Sequence, residues 1–164
     1  MNREYELDKI DKQILSILMK DGRATYAEIA ALLNVSGGTI HVRMKKLEQL
    51  GVIKGMHLIA DYRKLGYTIY AYIAVNFTTN VDFDEICAKM ADIPEVSRVD
   101  VVTGEYNAML QVVCRDASHL NNILKHRIHP LKGVGEYRVF TSLQNVVDRK
   151  IDLIEIEKQK VFEL

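Results

Sequence analysis

A change of period restricts this chain more than any other feature. Up to about residue 60 apolar residues recur every three to four positions, as on one face of a helix; beyond it several stretches alternate with the two-residue period of half-buried strands. A helical unit followed by a mixed unit of strands and helices is the expected result, an α+β chain divided into 1–60 and 61–164. No low-complexity linker lies between them, and 57–62 (His57, Leu58, Ile59, Ala60, Asp61, Tyr62) reads as a short connecting strand. The 164 residues suffice for two small domains, and 48% hydrophobic with 27% charged residues is a globular mix.

Lys and Arg total 22 and so do Asp and Glu, so no global field recruits polyanions, and a nucleic-acid site must be a local patch. Cys87 and Cys114 lie far apart, which excludes a disulfide framework or a cysteine-rich zinc site within one chain. Residues 1–6 are acidic and no apolar run reaches membrane-spanning length, so secretion and membrane insertion are disfavoured and a reducing cytoplasm is expected.

Leu7, Ile10, Ile14, Ile17 and Leu18 form one stripe of a first helix, ended near Gly22. Thr25 opens a second, with Glu28 three residues later as in a capping box and Ile29, Ala30, Leu32 and Leu33 on its buried side. It breaks at Asn34. Ser36 caps a third helix anchored by Ile40, Met44 and Leu47. Helix, short turn and capped helix make a helix-turn-helix.

At about 100° per residue, the face opposite those anchors carries Gly38, Thr39, Val42, Lys45 and Lys46, with His41 and Arg43 on the flanks. Between Ser36 and His57 the cations Arg43, Lys45, Lys46 and Lys54 meet a single acid, Glu48. Lysines there suit DNA phosphates while Thr39, His41 and Val42 suit base edges, and Gly37 and Gly38 permit close backbone approach. The alternative is a packing module with a solvated lysine face. Arg43 fits a DNA contact or an ion pair at the edge of the core.

In the second unit 68–77 alternates, 81–92 is a helix stopped by Pro94, 96–103 and 107–114 are strands joined at Gly104, 117–128 is a helix, and 134–143 is a fourth strand. The order βαββαβ is that of a ferredoxin-like sandwich. Its uncovered sheet face would carry Tyr70, Tyr72, Met109, Val113 and Phe140, which suits burial against a second copy; a twofold dimer would also pair two helix-turn-helix units on DNA, and the alternatives are a small-molecule pocket or, disfavoured by the lack of a basic surround and a glycine-aromatic motif, an RNA-binding sheet.

Several short motifs stand in a fixed order: Leu7-Asp8-x-x-Asp11-x-x-Ile14-Leu15, Asp21-Gly22-Arg23, Ala27-Glu28-Ile29-Ala30, Val35-Ser36, Gly38-Thr39-Ile40-His41-Val42-Arg43, Leu47-Glu48-x-x-Gly51-Val52-Ile53, Leu65-Gly66-Tyr67 and Thr103-Gly104-x-Tyr106. With them the chain resembles, over nearly its whole length, the Lrp/AsnC (feast/famine) transcription regulators. Gly38 to Arg43 and Leu143-Gln144-Asn145 are most similar to the asparagine-responsive branch. The resemblance implies a winged-type helix-turn-helix that binds double-stranded DNA. It also implies a ferredoxin-like domain that dimerises and takes amino-acid effectors between dimers, often in octamers, with no other cofactor. Carried over by position, the effector loop is Thr103, Gly104, Glu105, Tyr106 and Asn107, with His129 from a neighbouring dimer. Asn107 stands where many members have aspartate, and His129 where the branch would have an amide, which implies altered ligand choice.

His119, His126 and His129 find no completing carboxylate or cysteine nearby and are read as solvated; Cys87 and Cys114 are read as core. The tail from Asp148 fits a fifth strand, a helix or a partner-binding segment. An amino-acid-responsive regulator of amino-acid metabolism is the leading expectation, ahead of an effector-modulated DNA-wrapping protein. An enzyme ranks last, since no nucleophile set, phosphate loop or metal cluster stands out.

Overall fold

The computed structural model describes residues 6–79, 81–149, 151, 152, 154 and 156. Two compact units form, one up to Leu58 together with the described residues from Val147 onward, the other Ile59–Val146.

Three helices build the first unit, α1 at Lys9–Lys20, α2 at Tyr26–Leu33 and α3 at Gly37–Gln49. Each begins where a side chain satisfies backbone donors that no helical carbonyl can reach. Asp8 and Asp11 cap reciprocally, as do Thr25 and Glu28, and Ser36 accepts from the Thr39 amide. Such caps contribute about 1 kcal/mol each. Asn34 closes α2 in the left-handed region (φ 53°), which turns the chain into Ser36 within two residues. α1 ends within the expected Lys20-Asp21-Gly22, with Asp21 as the cap residue, its amide donating to the Ile17 carbonyl. Ile14, Ile29, Ala30, Ile40 and Met44 form the core, and Leu47 is also buried. Leu32, expected inside, is 70% exposed because Ile29, Ala30 and Leu33 already fill the short seam of α2.

Two expectations fail around the connection. Residues 57–61 join no strand ladder, and Leu58 and Ile59 are more than four-fifths exposed; a 3-10 turn at Tyr62–Leu65 follows. An isolated extended segment has no partner for its backbone groups within one chain. The tail, expected with the second domain, joins the first unit through Asp152, which pairs with Lys20 Nζ at 2.6 Å and accepts from Ser16 Oγ at 3.3 Å. Asp152 also caps a helical turn, accepting from the Ile154 amide on Oδ1 and from the Ile156 amide on its carbonyl. The rest of the tail lies outside the described residues.

In the second unit β1 (Ile69–Phe77), β2 (Val96–Val101), β3 (Ala108–Cys114) and β4 (Val134–Thr141) pair antiparallel in the order β2-β3-β1-β4. With α4 (Phe83–Ala91) and α5 (Ala117–Ile123) this is the expected ferredoxin-like arrangement. Both outer strands end two residues before the expected limits. On the inner face, β1 sets Ala71, Ile73 and Val75 beside Val112, Leu110 and Ala108 of β3. The helices close that core with Ile86, Met90, Leu120, Ile123 and Ile128. Instead of running on to Ile128, α5 widens into a π turn, Leu124–Ile128, where the His129 amide donates to the Leu124 carbonyl at 2.8 Å.

The other sheet face is only partly bare. Tyr72 and Phe140 sit side by side on β1 and β4 at 39% and 51% exposure, whereas Val113 is buried and the Arg63 guanidinium lies 5.9 Å from the Tyr70 ring centroid. His119 is not solvated as expected. Its Nδ1 accepts from the Arg115 amide at 3.3 Å, which leaves Nε2 to donate to Glu95 Oε1 at 3.1 Å. Both cysteines are partly or fully buried, and desolvation pushes their thiols up.

Gly133 has φ +98°, and a Cβ there would stand 2.6 Å from Val81 Cγ1 and 2.9 Å from Ile86 Cδ1, whereas Gly104, at φ +122°, faces open space. Gly133→Ala is therefore expected to cost roughly 2–4 kcal/mol by urea unfolding, from strain plus overpacking, and Gly104→Ala only about 1–2. Equal costs would show that the core yields freely around Gly133.

Candidate functional site

Two places gather the residues that the sequence singles out. On the first unit, α3 buries Ile40, Met44 and Leu47 and turns the opposite side outward. Ser36, Gly37, Gly38, His41, Val42, Lys45, Lys46 and Lys54 are exposed, with Val42 at 67%, and Thr39 is half-buried. The Thr39 hydroxyl lies 2.8 Å from Ser36 Oγ, so both hydroxyls are oriented by the cap itself. The His41 ring stands edge-on to Tyr26 of α2 at 6.0 Å, which fixes its direction. A shallow depression of about 580 Å³ is lined by Asp8, Gly38, Thr39, Val42, Arg43 and Lys46. His41, Lys45 and Lys54 lie outside it.

Arg43 adopts the ion-pair alternative. Its Nη1 stands 2.6 Å from Asp8 Oδ2 and 2.7 Å from Asp11 Oδ1, and Asp11 is 1% exposed. The two carboxylates hold the guanidinium above its ordinary value. Asp8 is held below its own, first by the Asp11 amide and then by Arg43. Asp8 and Asp11 were visible in the sequence only as part of a family motif; their placement beside Arg43 needed the packing of α1 against α3.

On the second unit, residues 103–105 turn between β2 and β3, with Gly104 at φ +122°. Asn107 is committed structurally. Its Oδ1 accepts from the Phe77 amide at 2.8 Å, its own amide donates to the Val75 carbonyl, and its carbonyl accepts from the Val102 amide. The oxygen expected to face an effector ammonium group therefore latches the hairpin to the end of β1. Tyr106 Oη donates to Glu105 Oε1 at 3.4 Å.

Tyr106 and His129 of the same chain line one open cleft of about 360 Å³ with Gly135, Glu136, Tyr137 and Arg138. The resemblance had drawn His129 from a neighbouring dimer; here the π turn delivers it beside Tyr137, with ring centroids 6.4 Å apart. Thr103, Gly104, Glu105 and Asn107 do not line this cleft. Glu136 and Arg138 went unnoticed in the sequence because a strand-spaced pair of opposite charges is the ordinary pattern of an exposed strand. Among the described residues no group of three His, Cys, Asp or Glu could hold a metal, and no helix is long and apolar enough to cross a membrane.

The family model for a winged helix-turn-helix DNA-binding domain matches residues 7–54, and that for the Lrp/AsnC ligand binding domain matches residues 70–151. The chain is 35% identical over 147 residues to the regulatory protein AsnC of Haemophilus influenzae, covering 90% of this chain and 98% of that one. The chain belongs to the Lrp/AsnC family. The Escherichia coli AsnC structure superposes with a TM-score of 0.84 at 32% identity, covering 90% of this chain and 99% of that one. A Neisseria meningitidis regulator solved in complex with L-methionine has the same fold, with a TM-score of 0.83 at 24% identity over 88% of this chain and 94% of that one. As an Lrp/AsnC protein the chain is a transcriptional regulator with a DNA-binding domain and a small-molecule domain, and not an enzyme.

The depressed Asp8 makes the α1–α3 contact acid-sensitive. A carboxylate whose folded pKa lies below its ordinary 3.8 adds stability that is fully present above that value and is lost as pH falls through the lower folded one. Asp8→Asn retains a capping side chain, so its thermal midpoint should lie below that of the parent at neutral pH and converge on it below pH of about 3.8. A gap that persists unchanged in acid would assign the loss to something other than charge.

Proposed function

We propose that α3 enters the DNA major groove of an operator and that an amino acid bound by the second unit modulates that binding, in control of amino-acid metabolism. The outward face of α3 carries the reading. Thirteen residues of helix, about 20 Å long, present Gly38, Thr39 and Val42 beside the exposed cations Lys45 and Lys46, on a chain with no overall net charge to explain polyanion binding. Lys45, Lys46 and Lys54 meet phosphates; Thr39, His41 and Val42 face bases.

For the effector, the cleft of Tyr106, His129, Glu136 and Arg138 suits a zwitterion, since one strand brings a carboxylate for the ammonium group and a guanidinium for the carboxylate. The Neisseria relative's complex with L-methionine supports this ligand class. With Asn107 Oδ1 bonded to the Phe77 amide, ammonium recognition in this cleft passes to Glu136. The exposed Tyr72 and Phe140 suit assembly into twofold dimers, and those into octamers.

Lys45→Ala should weaken binding to all DNA sequences and reduce the slope of log affinity against log salt by about 1, while Thr39→Ala should relax site preference. Unchanged affinity in both would remove α3 from the interface. An amino acid that binds should raise the thermal midpoint, with about 2.7 kcal/mol of stabilisation at a hundred times its Kd, and Tyr106→Ala should abolish the rise. No shift with any of the twenty amino acids would reject the effector class.

A further inference from the structure

We propose that Arg43 is a positioning residue for DNA recognition and not a DNA contact: it locks the rotation of α3 against α1 through Asp11 and offsets the carboxylate of Asp8 on the DNA-facing surface. The inference rests on the reading that α3 meets DNA.

One nitrogen, Nη1, serves both carboxylates, and the Arg43 side chain is 24% exposed. Asp11 is 1% exposed, so water cannot replace the partners of its carboxylate. A cation committed in this way could reach a phosphate only by giving up its bonds to both carboxylates. Arg43 sits midway along α3, between outward Val42 and inward Met44, where a tether to α1 resists rotation about the helix axis. Side-chain tips lie roughly 5–6 Å from a helix axis, so a rotation of about 20° would move Thr39 and Val42 by about 2 Å, enough to break a base contact.

Asp8 adds an electrostatic half to the role. It lines the same depression as Gly38, Thr39, Val42 and Lys46, and is half exposed. Without Arg43 it would present negative charge to the phosphates that Lys45 and Lys46 attract. The fork therefore lessens the repulsion that Asp8 would offer while holding the helix in register.

The test is DNA affinity across a salt series, with thermal midpoints, for the full-length variants Arg43→Gln, the triple variant Asp8→Asn/Asp11→Asn/Arg43→Gln, Asp8→Asn and Lys45→Ala. Arg43→Gln is expected to lose about tenfold or more in affinity and to melt earlier, because it removes the cation that both carboxylates share. The triple variant, which replaces all three charged groups by amides able to hydrogen-bond across the same α1–α3 contact, is expected to return to within about threefold of the parent with the parent's salt slope. A folded triple variant that stays weak, with a slope lower by about 1, would overturn the proposal, since that is the signature of a lost phosphate contact. Should the triple variant not fold, Asp8→Asn decides: equal or tighter binding at an unchanged slope supports the positioning role, and a slope steeper by about 1 overturns it. Lys45→Ala separates the two levels. An unchanged affinity and slope there would reject the DNA face itself, whereas a normal Lys45 result beside a weak triple variant rejects only the role of Arg43.

Discussion

A carboxylate with almost no access to water depends on the groups packed against it, and Asp11 has the Arg43 guanidinium 2.7 Å away. That pairing joins the start of α1 to the middle of α3. The apolar contacts of Ile14, Ile29, Ile40 and Met44 hold the helices together but are non-directional; they tolerate small slips that the ion pair does not. The capping network extends the same control outward. Asp8 caps α1 and binds Arg43, while Ser36 caps α3 and holds the Thr39 hydroxyl, so the outward face is oriented from two sides.

The second unit uses an amide where the first uses charge. Asn107 bonds the end of β1 through its side chain and both neighbouring strands through its backbone, which fixes the hairpin from which Tyr106 projects. Across the cleft the π turn replaces the last turn of a regular helix and sets His129 beside Tyr137. An aspartate at 107 would also accept from the Phe77 amide, but it would carry a negative charge to the rim; asparagine keeps the latch and removes the charge. In the proposed effector cleft the charged groups are then those of β4, where Glu136 and Arg138 stand two residues apart on one strand.

Period and capping chemistry made most of the fold legible in the sequence. Ile40, Met44 and Leu47 repeat strictly and are fully buried, and Thr25 and Ser36 cap where their spacing indicates. What period could not provide was pairing across long separations. Arg43 with Asp8 and Asp11, His119 with Glu95, and Asp152 with Lys20 each join residues at least 24 apart, and no local pattern encodes such contacts. The same limit moved the tail to the first unit. Extended segments failed differently: 57–61 has strand composition, but a strand needs a neighbour, and composition does not supply one. At the candidate sites, helix geometry indicated the α3 face, whereas the β4 side of the cleft depends on a sheet order that sequence alone does not display.

The most direct test of a regulator that joins DNA reading to amino-acid sensing is a nuclease footprint on its own upstream DNA, taken with and without a mixture of the twenty amino acids. The expected result is a set of protected half-sites in helical register, about 10.5 base pairs or a multiple apart, whose extent changes when amino acids are present. Even protection of unrelated DNA, or a footprint indifferent to every amino acid, would contradict it.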